Sequence, residues 1–205
     1  VNPDRQTWRC FGQCSTGGDI FTFVMKMDGL EFAEALSVLA DRAGVEINLK
    51  NDSVQKNTYF EINELALNFF RESLLSPEAE SARNYLGRRG IPRGIWEEFD
   101  LGYSPRNKSS LKAHIAFHGI ELGKAVECGL LNGLDDGTVR DFFWGRLMIP
   151  IHNRAGKVVG FGGRSLDGSM PKYINTAATP VFDKKRTLYG FHKAQEAIRQ
   201  ENQCV

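Results

Sequence analysis

Hydrophobic positions fall into two regimes along the chain. Before about residue 130 they recur at helical spacing, and from Phe142 they alternate. "WRCFGQC", residues 8–14, mixes bulky and polar positions as a short strand running into a turn would. Residues 17–49 then predict two helices. Asp19 is placed to cap the first, with Phe21, Val24 and Met25 on one face. The second starts near Glu31, repeats Phe32, Ala35, Leu36, Leu39 and Ala40, and stops at Gly44. The polar, aperiodic residues 50–57 predict a linker.

Beyond it, Ile62, Leu65, Ala66, Phe69, Phe70 and Leu74 make one apolar stripe. Pro77 opens a further helix closed by Gly90. Residues 93–99, 108–117 and 121–128 predict shorter helices, and "LGYSP" an extended segment. Gly129 to Gly133 and Asp135-Asp136-Gly137 read as turns. Leu147, Ile149 and Ile151 alternate, Arg154-Ala155-Gly156 turns, and Val158-Val159 returns into Phe161, the pattern of a hairpin. The predicted class is α+β: a helical N-terminal half, then a small twisted antiparallel or mixed sheet with helices.

Charge changes the picture only when the chain is divided. The whole carries a net charge of +1, yet residues 140–199 hold eleven Lys/Arg against four Asp/Glu, and residues 1–139 hold fifteen against twenty. Such asymmetry suits a face built for a polyanion. No apolar run is long enough to cross a membrane, no signal sequence opens the chain, and its few irregularly spaced cysteines suit a reducing cytoplasm. An opening without Met, and an ending at "QENQCV" where an apolar strand is expected to start, are the marks expected of a piece of a longer protein.

Three stretches carry candidate chemistry. Cys10 and Cys14 on a turn read either as half of a tetrahedral zinc site or as two ordinary thiols. "GFGGR" reads either as a phosphate-cradling backbone nest with Arg164 as a charged fork, or as a strand against which a neighbour packs closely. In "PKYIN…FDKKR", Lys172, Lys184, Lys185 and Arg186 offer phosphate contacts, while Tyr173, Asn175 and Phe182 offer stacking or hydrogen bonds to bases. The alternative there is core aromatics with a solvated basic rim. Asp141, Asp167 and Asp183 stand apart from one another, and Asp135-Asp136 suits a turn, so this stretch reads as binding rather than catalytic.

Together the quoted segments resemble the bacterial DnaG-type DNA primase family. Residues 10–45 resemble the C-terminal half of its zinc-binding domain. "ARNYLGRRGI", "GRLMIPI", "GKVVGFGGRSL" and "PKYINTAATPVFDKKRTLYG" resemble the N-terminal part of its RNA polymerase core. The resemblance implies residues 1–49 as the C-terminal part of the zinc-binding domain, 50–57 as linker, 58–202 as the N-terminal basic subdomain of the RNA polymerase core and 203–205 as the start of a toprim subdomain. It implies an enzyme that copies single-stranded DNA into short RNA primers from ribonucleoside triphosphates, with a replicative helicase engaged through other regions. It further implies zinc on Cys10 and Cys14 with a first ligand pair upstream, and magnesium on carboxylates beyond Val205. The family's basic positions match Arg89, Arg146, Arg164, Lys172 and Lys184, with Tyr173 and Asn175 in the motif around them. Trp144 stands where some members carry another arginine. The competing expectations are a non-catalytic single-strand-binding module derived from a primase, and a zinc-dependent module for protein partners.

Overall fold

The computed structural model describes residues 1–12, 14–30, 32–45 and 52–201, the side chains of 52–55 excepted. The chain divides into two compact units, Val1–Gln55 and Lys56 onward. The expected toprim start at 203–205 lies outside the described residues.

In the first unit β1 (Trp8–Arg9) pairs antiparallel with β2 (Gly17–Gly18), followed by α1 (Ile20–Asp28) and α2 (Phe32–Ala43). The Asp19 carboxylate accepts the Thr22 amide at 2.8 Å and the Thr22 hydroxyl at 2.7 Å, satisfying donors that a helix start leaves free. The Trp8 indole donates to the Asp19 carbonyl at 2.9 Å and meets Phe23 edge-on at 5.5 Å, which ties the hairpin to α1.

The second unit begins within α3 (Asp52–Leu75), which is helical where a linker is expected over 50–57. The polar residues there form the first turns of a helix whose apolar stripe begins only at Tyr59, so periodicity is silent over them; residues 50 and 51 are outside the described set. A 3-10 turn (Pro77–Ala79) leads into α4 (Glu80–Arg88), then α5 (Arg93–Glu98), β3 (Gly102–Ser104), α6 (Ser110–Phe117) and α7 (Leu122–Glu127). The expected turn over 129–133 is confined to its start, where Gly129 sits at φ 69°. β4 (Leu131–Gly133) pairs with β5 (Val139–Asp141), and the Asp-Asp-Gly turn closes this hairpin, Asp136 accepting the Thr138 amide at 2.9 Å. β6 (Arg146–His152), β7 (Val158–Ser165) and β8 (Tyr173–Asn175) follow, and α8 (Phe191–Glu201) ends the described chain.

β3, β6, β7 and β8 form one antiparallel sheet in the order β3-β6-β7-β8. One face packs on α3, α6 and α7 through Phe70, Leu111, Ile115, Ala125, Met148 and Phe161. Phe70 meets Phe161 edge-to-face at 5.3 Å. The other face is covered at one end by α4, where Leu86 and Ala82 pack with Tyr103 and Leu147. Both faces are therefore apolar at that end. This is why the simple alternation breaks: Leu147 and Met148 are both buried, while Ile149 and Ile151 are half-buried in the uncovered part.

A remote carboxylate completes α6. Ser109, at its N-terminus, makes no side-chain cap. Instead the Asp141 oxygens accept the Leu111 and Lys112 amides, both at 2.8 Å, and the Asp141 amide donates to the Lys108 carbonyl at 2.8 Å. Burial pushes the Asp141 carboxyl above its ordinary range, against the pull of those amides. Asp141→Ala leaves buried helix-start donors without an acceptor and is expected to lower stability by about 1–3 kcal/mol in urea unfolding. A loss below ~0.5 kcal/mol would assign the capping to water.

Candidate nucleic-acid interface

The alternation of β7 sorts the "GFGGR" residues. Phe161 is fully buried. A Cβ on Gly163 would come within 2.7 Å of the Phe143 ring and 3.1 Å of Arg146 Cδ, so that position also faces the packed side. Gly162 and Arg164 face the other way. The segment is strand throughout, paired on both edges, and the glycines make room for neighbours. The phosphate-nest reading is thereby corrected: these amides are spent on the sheet.

Arg164 sits opposite Tyr173 of β8. Its Nε–H donates to the Tyr173 hydroxyl at 3.0 Å, and its guanidinium carbon lies 4.0 Å from the Tyr85 ring centroid and 5.6 Å from that of Tyr173. Tyr85 comes from α4, far upstream, and nothing in its local sequence marks it for this role. Beside the clamp opens a cavity of about 280 Å³ lined by Ile149, Ile151, Gly162, Tyr173, Asn175, Phe182, Lys184, Thr187 and Tyr189. Its lining is largely apolar and includes two tyrosines, one amide side chain and one lysine. A Cβ on Gly162 would approach Asn175 Oδ1 to 3.0 Å, so the glycine keeps the Asn175 amide in place.

The expected residues thus separate. Arg164, Tyr173, Asn175 and Lys184 converge on the groove and its rim. Tyr173 is 55% exposed while Phe182 is 3% exposed, so of the two expected stacking rings Tyr173 is available and Phe182 is core. Lys172, Lys185, Arg186 and Arg89 have exposed side chains and do not line the cavity. Lys172 flanks Tyr173, its carbonyl accepting the Ser165 amide at 2.9 Å. Lys185 and Arg186 stand on a turn held by Asp183, which accepts the Lys185 amide at 2.8 Å through its carboxylate and the Arg186 amide at 3.1 Å through its carbonyl. Arg146 departs from expectation. It is 6% exposed, and its Nη1 donates to the carbonyls of Gly163 at 3.3 Å and Pro171 at 3.1 Å. It is buried because it spans β7 and the segment entering β8, and burial lowers its pKa. The groove walls at Thr187 and Tyr189 were missed by sequence reasoning, although "TLYG" directly follows the basic run.

Asp167 is likewise structural. Hydrogen bonds from the Ser169 hydroxyl and amide and from the Ser165 hydroxyl hold its pKa down to about 2. It also sits 3.8 Å from Arg106.

In the first unit, Cys10 and Cys14 lie together at the hairpin end. Hydrogen bonding from Cys10, then from the Thr16 amide and hydroxyl, lowers the Cys14 pKa to about 7. Among the described residues no third His, Cys, Asp or Glu joins them.

A family profile described as "DNA primase catalytic core, N-terminal domain" matches residues 69–195, and one described as "CHC2 zinc finger" matches residues 1–55. The DNA primase of Halalkalibacterium halodurans is 41% identical over all of this chain, and that of Deinococcus radiodurans 40% identical over 97% of it; the chain spans 35% and 34% of their lengths. Among solved structures, the Aquifex aeolicus primase (zinc-binding and RNA polymerase domains) aligns over 98% of this chain and 49% of its own, with 34% identity and a TM-score of 0.66. A DnaG primase catalytic domain bound to ssDNA aligns over 71% of this chain and 47% of its own, with 34% identity and a TM-score of 0.66.

The thiol pair fits the zinc-finger match chemically, because a thiolate available near neutrality is what zinc takes. Alkylation of the metal-free protein should accordingly rise with pH at Cys14 and reach half its maximum near pH 7. Cys128, whose pKa burial pushes up to about 12, should stay unlabelled until the protein unfolds. Peptide mass spectrometry across a pH series checks both.

Proposed function

This chain belongs to the DnaG-type DNA primase family, and we propose that it supplies the template-holding surface of a primase that copies single-stranded DNA into short RNA primers. In this reading the whole protein is a cytoplasmic nucleotidyltransferase of replication that uses ribonucleoside triphosphates and works beside a replicative helicase. Among the described residues no helix is long and apolar enough to cross a membrane. The observation that carries the reading is the groove beside Arg164, where tyrosine faces, one amide and lysine charge meet in a largely apolar lining.

A single strand offers what such a groove takes. Bases stack on exposed aromatic faces, each contributing about 1–3 kcal/mol, and phosphates pair with cations along the rim. Tyr173 supplies the face and Asn175 a hydrogen-bonding edge. Arg164 and Lys184 neutralise phosphate within reach of the groove, and Lys172, Lys185, Arg186 and Arg89 continue the positive rim. Arg146 acts as a positioning residue, fixing the segment that carries Lys172 and Tyr173.

Residues 1–49 are read as the C-terminal part of the zinc-binding domain, with Cys10 and Cys14 as two of the metal's ligands, and residues 58–202 as the basic subdomain. Zinc on this loop would be structural, fixing its geometry. Magnesium, which neutralises charge at a transferred phosphoryl group, belongs in this reading to the part of the relatives' length outside the match.

Fluorescence anisotropy with a labelled oligothymidylate over a salt series tests the groove. The Arg164→Lys/Lys172→Ala/Lys184→Ala protein loses phosphate contacts at two lysines, and its log–log salt slope should fall by about 1.4. Its thermal midpoint should match that of the wild type. Equal slopes in two folded proteins would sink the assignment.

A further inference from the structure

Away from the groove-lining residues, two cations converge on one indole. The Lys108 ammonium lies 4.8 Å from the Trp144 ring centroid and the Arg140 guanidinium carbon 5.8 Å from it. Among the described residues neither has a carboxylate partner. The acid beside them, Asp141, directs both oxygens into the start of α6. The Arg140 Nε is buried and has no hydrogen-bond partner among the described residues.

This arrangement is held by backbone. The Asp141 amide bonds to the Lys108 carbonyl at 2.8 Å, the Gly145 amide to the Pro105 carbonyl at 3.0 Å, and the Ser104 hydroxyl to the Phe143 carbonyl at 2.6 Å. The segment bearing Lys108 is thus laced to the strand and loop bearing Arg140 and Trp144. Gly145 sits at φ 61°, where a side chain would be strained, and turns the chain from the tryptophan into β6.

Each cation is attracted to the indole face, but two like charges gathered at one ring repel each other. An anion bridging them removes that cost. A small free anion would have no use for the half-buried indole beside the cations, whereas a nucleic-acid strand supplies a base next to every phosphate.

We infer that Lys108, Arg140 and Trp144 form a second contact for single-stranded nucleic acid, built from residues that do not line the groove. A backbone phosphate bridges the two cations and a neighbouring base stacks on the indole. The inference rests on the reading of the chain as a single-strand binder, but not on the groove residues.

The test uses the full 205-residue chain and an oligothymidylate about sixteen nucleotides long. Tryptophan fluorescence should be quenched on titration, and Trp144→Phe should remove most of that quench, leaving Trp8 and Trp96 as the remaining emitters. Lys108→Gln/Arg140→Gln should lower the log–log salt slope of binding by about 1.4, two single-strand phosphate contacts. The thermal midpoint should not change. An unchanged quench in Trp144→Phe together with an unchanged slope in the glutamine protein would mean that the cations only clamp the indole, and would overturn the inference. The groove variants separate the two sites. If they lose slope while the glutamine protein does not, the groove stands and this contact falls. If the glutamine protein alone loses slope, this contact stands and the groove falls.

Discussion

The edge-to-face contact of Phe161 with Phe70 decides which side of the sheet is core. Side chains alternate along a strand, so seating Phe161 against α3 sends Gly162 and Arg164 to the opposite face and Gly163 back inside. The approach is close on the core side. A Cβ on Gly102 would come within 2.6 Å of Phe70 Cβ, and one on Gly163 would strike Phe143. Slipping β7 by one residue would put Arg164 in the core and a phenylalanine in the groove, so one register fixes both the core packing and the groove lining.

Single carboxylates then fasten the loops that carry charge. Asp141 caps α6 across sequence and pins Lys108. Asp167 holds the turn between β7 and β8 through Ser165 and Ser169, and Asp183 builds the turn bearing Lys185. Their separation along the chain follows from this work. Each accepts the hydrogen bonds that order its own loop, which scatters the acids of this stretch instead of gathering them.

Much of the fold was legible because its elements announce themselves locally. The Asp19 cap, the Ile62–Leu74 stripe, the Gly44 and Gly90 stops and the β6–β7 hairpin all follow from spacing and residue type. What escaped depends on partners distant in sequence. The first turns of α3 lack an apolar stripe to betray them. β4 is too short to show its period without β5 beside it. Arg146 and Arg164 look alike in sequence, and only the sheet separates a buried tie between carbonyls from a rim cation. Tyr85 could not be linked to Arg164 without knowing that α4 lies over that end of the sheet.

In the proposed role, the two kinds of cation at the groove differ in what binding a strand would cost them. Arg164 is already ordered, stacked on Tyr85 and bonded to Tyr173. It pays little further rotamer entropy when a phosphate arrives, and its remaining donors keep a fixed fork. Lys184 and Lys172 are exposed, and each gives up on the order of 1 kcal/mol of side-chain freedom to hold one phosphate in place. A surface meant to grip one nucleotide would favour ordered arginines throughout. The proposed template surface, along which a strand would advance, is better served by one ordered point flanked by exposed lysines, because a lysine can follow the next phosphate at small cost while the ordered arginine keeps register. The ring of Tyr173 beside Arg164 fits that division, since stacking accepts any base as the strand moves.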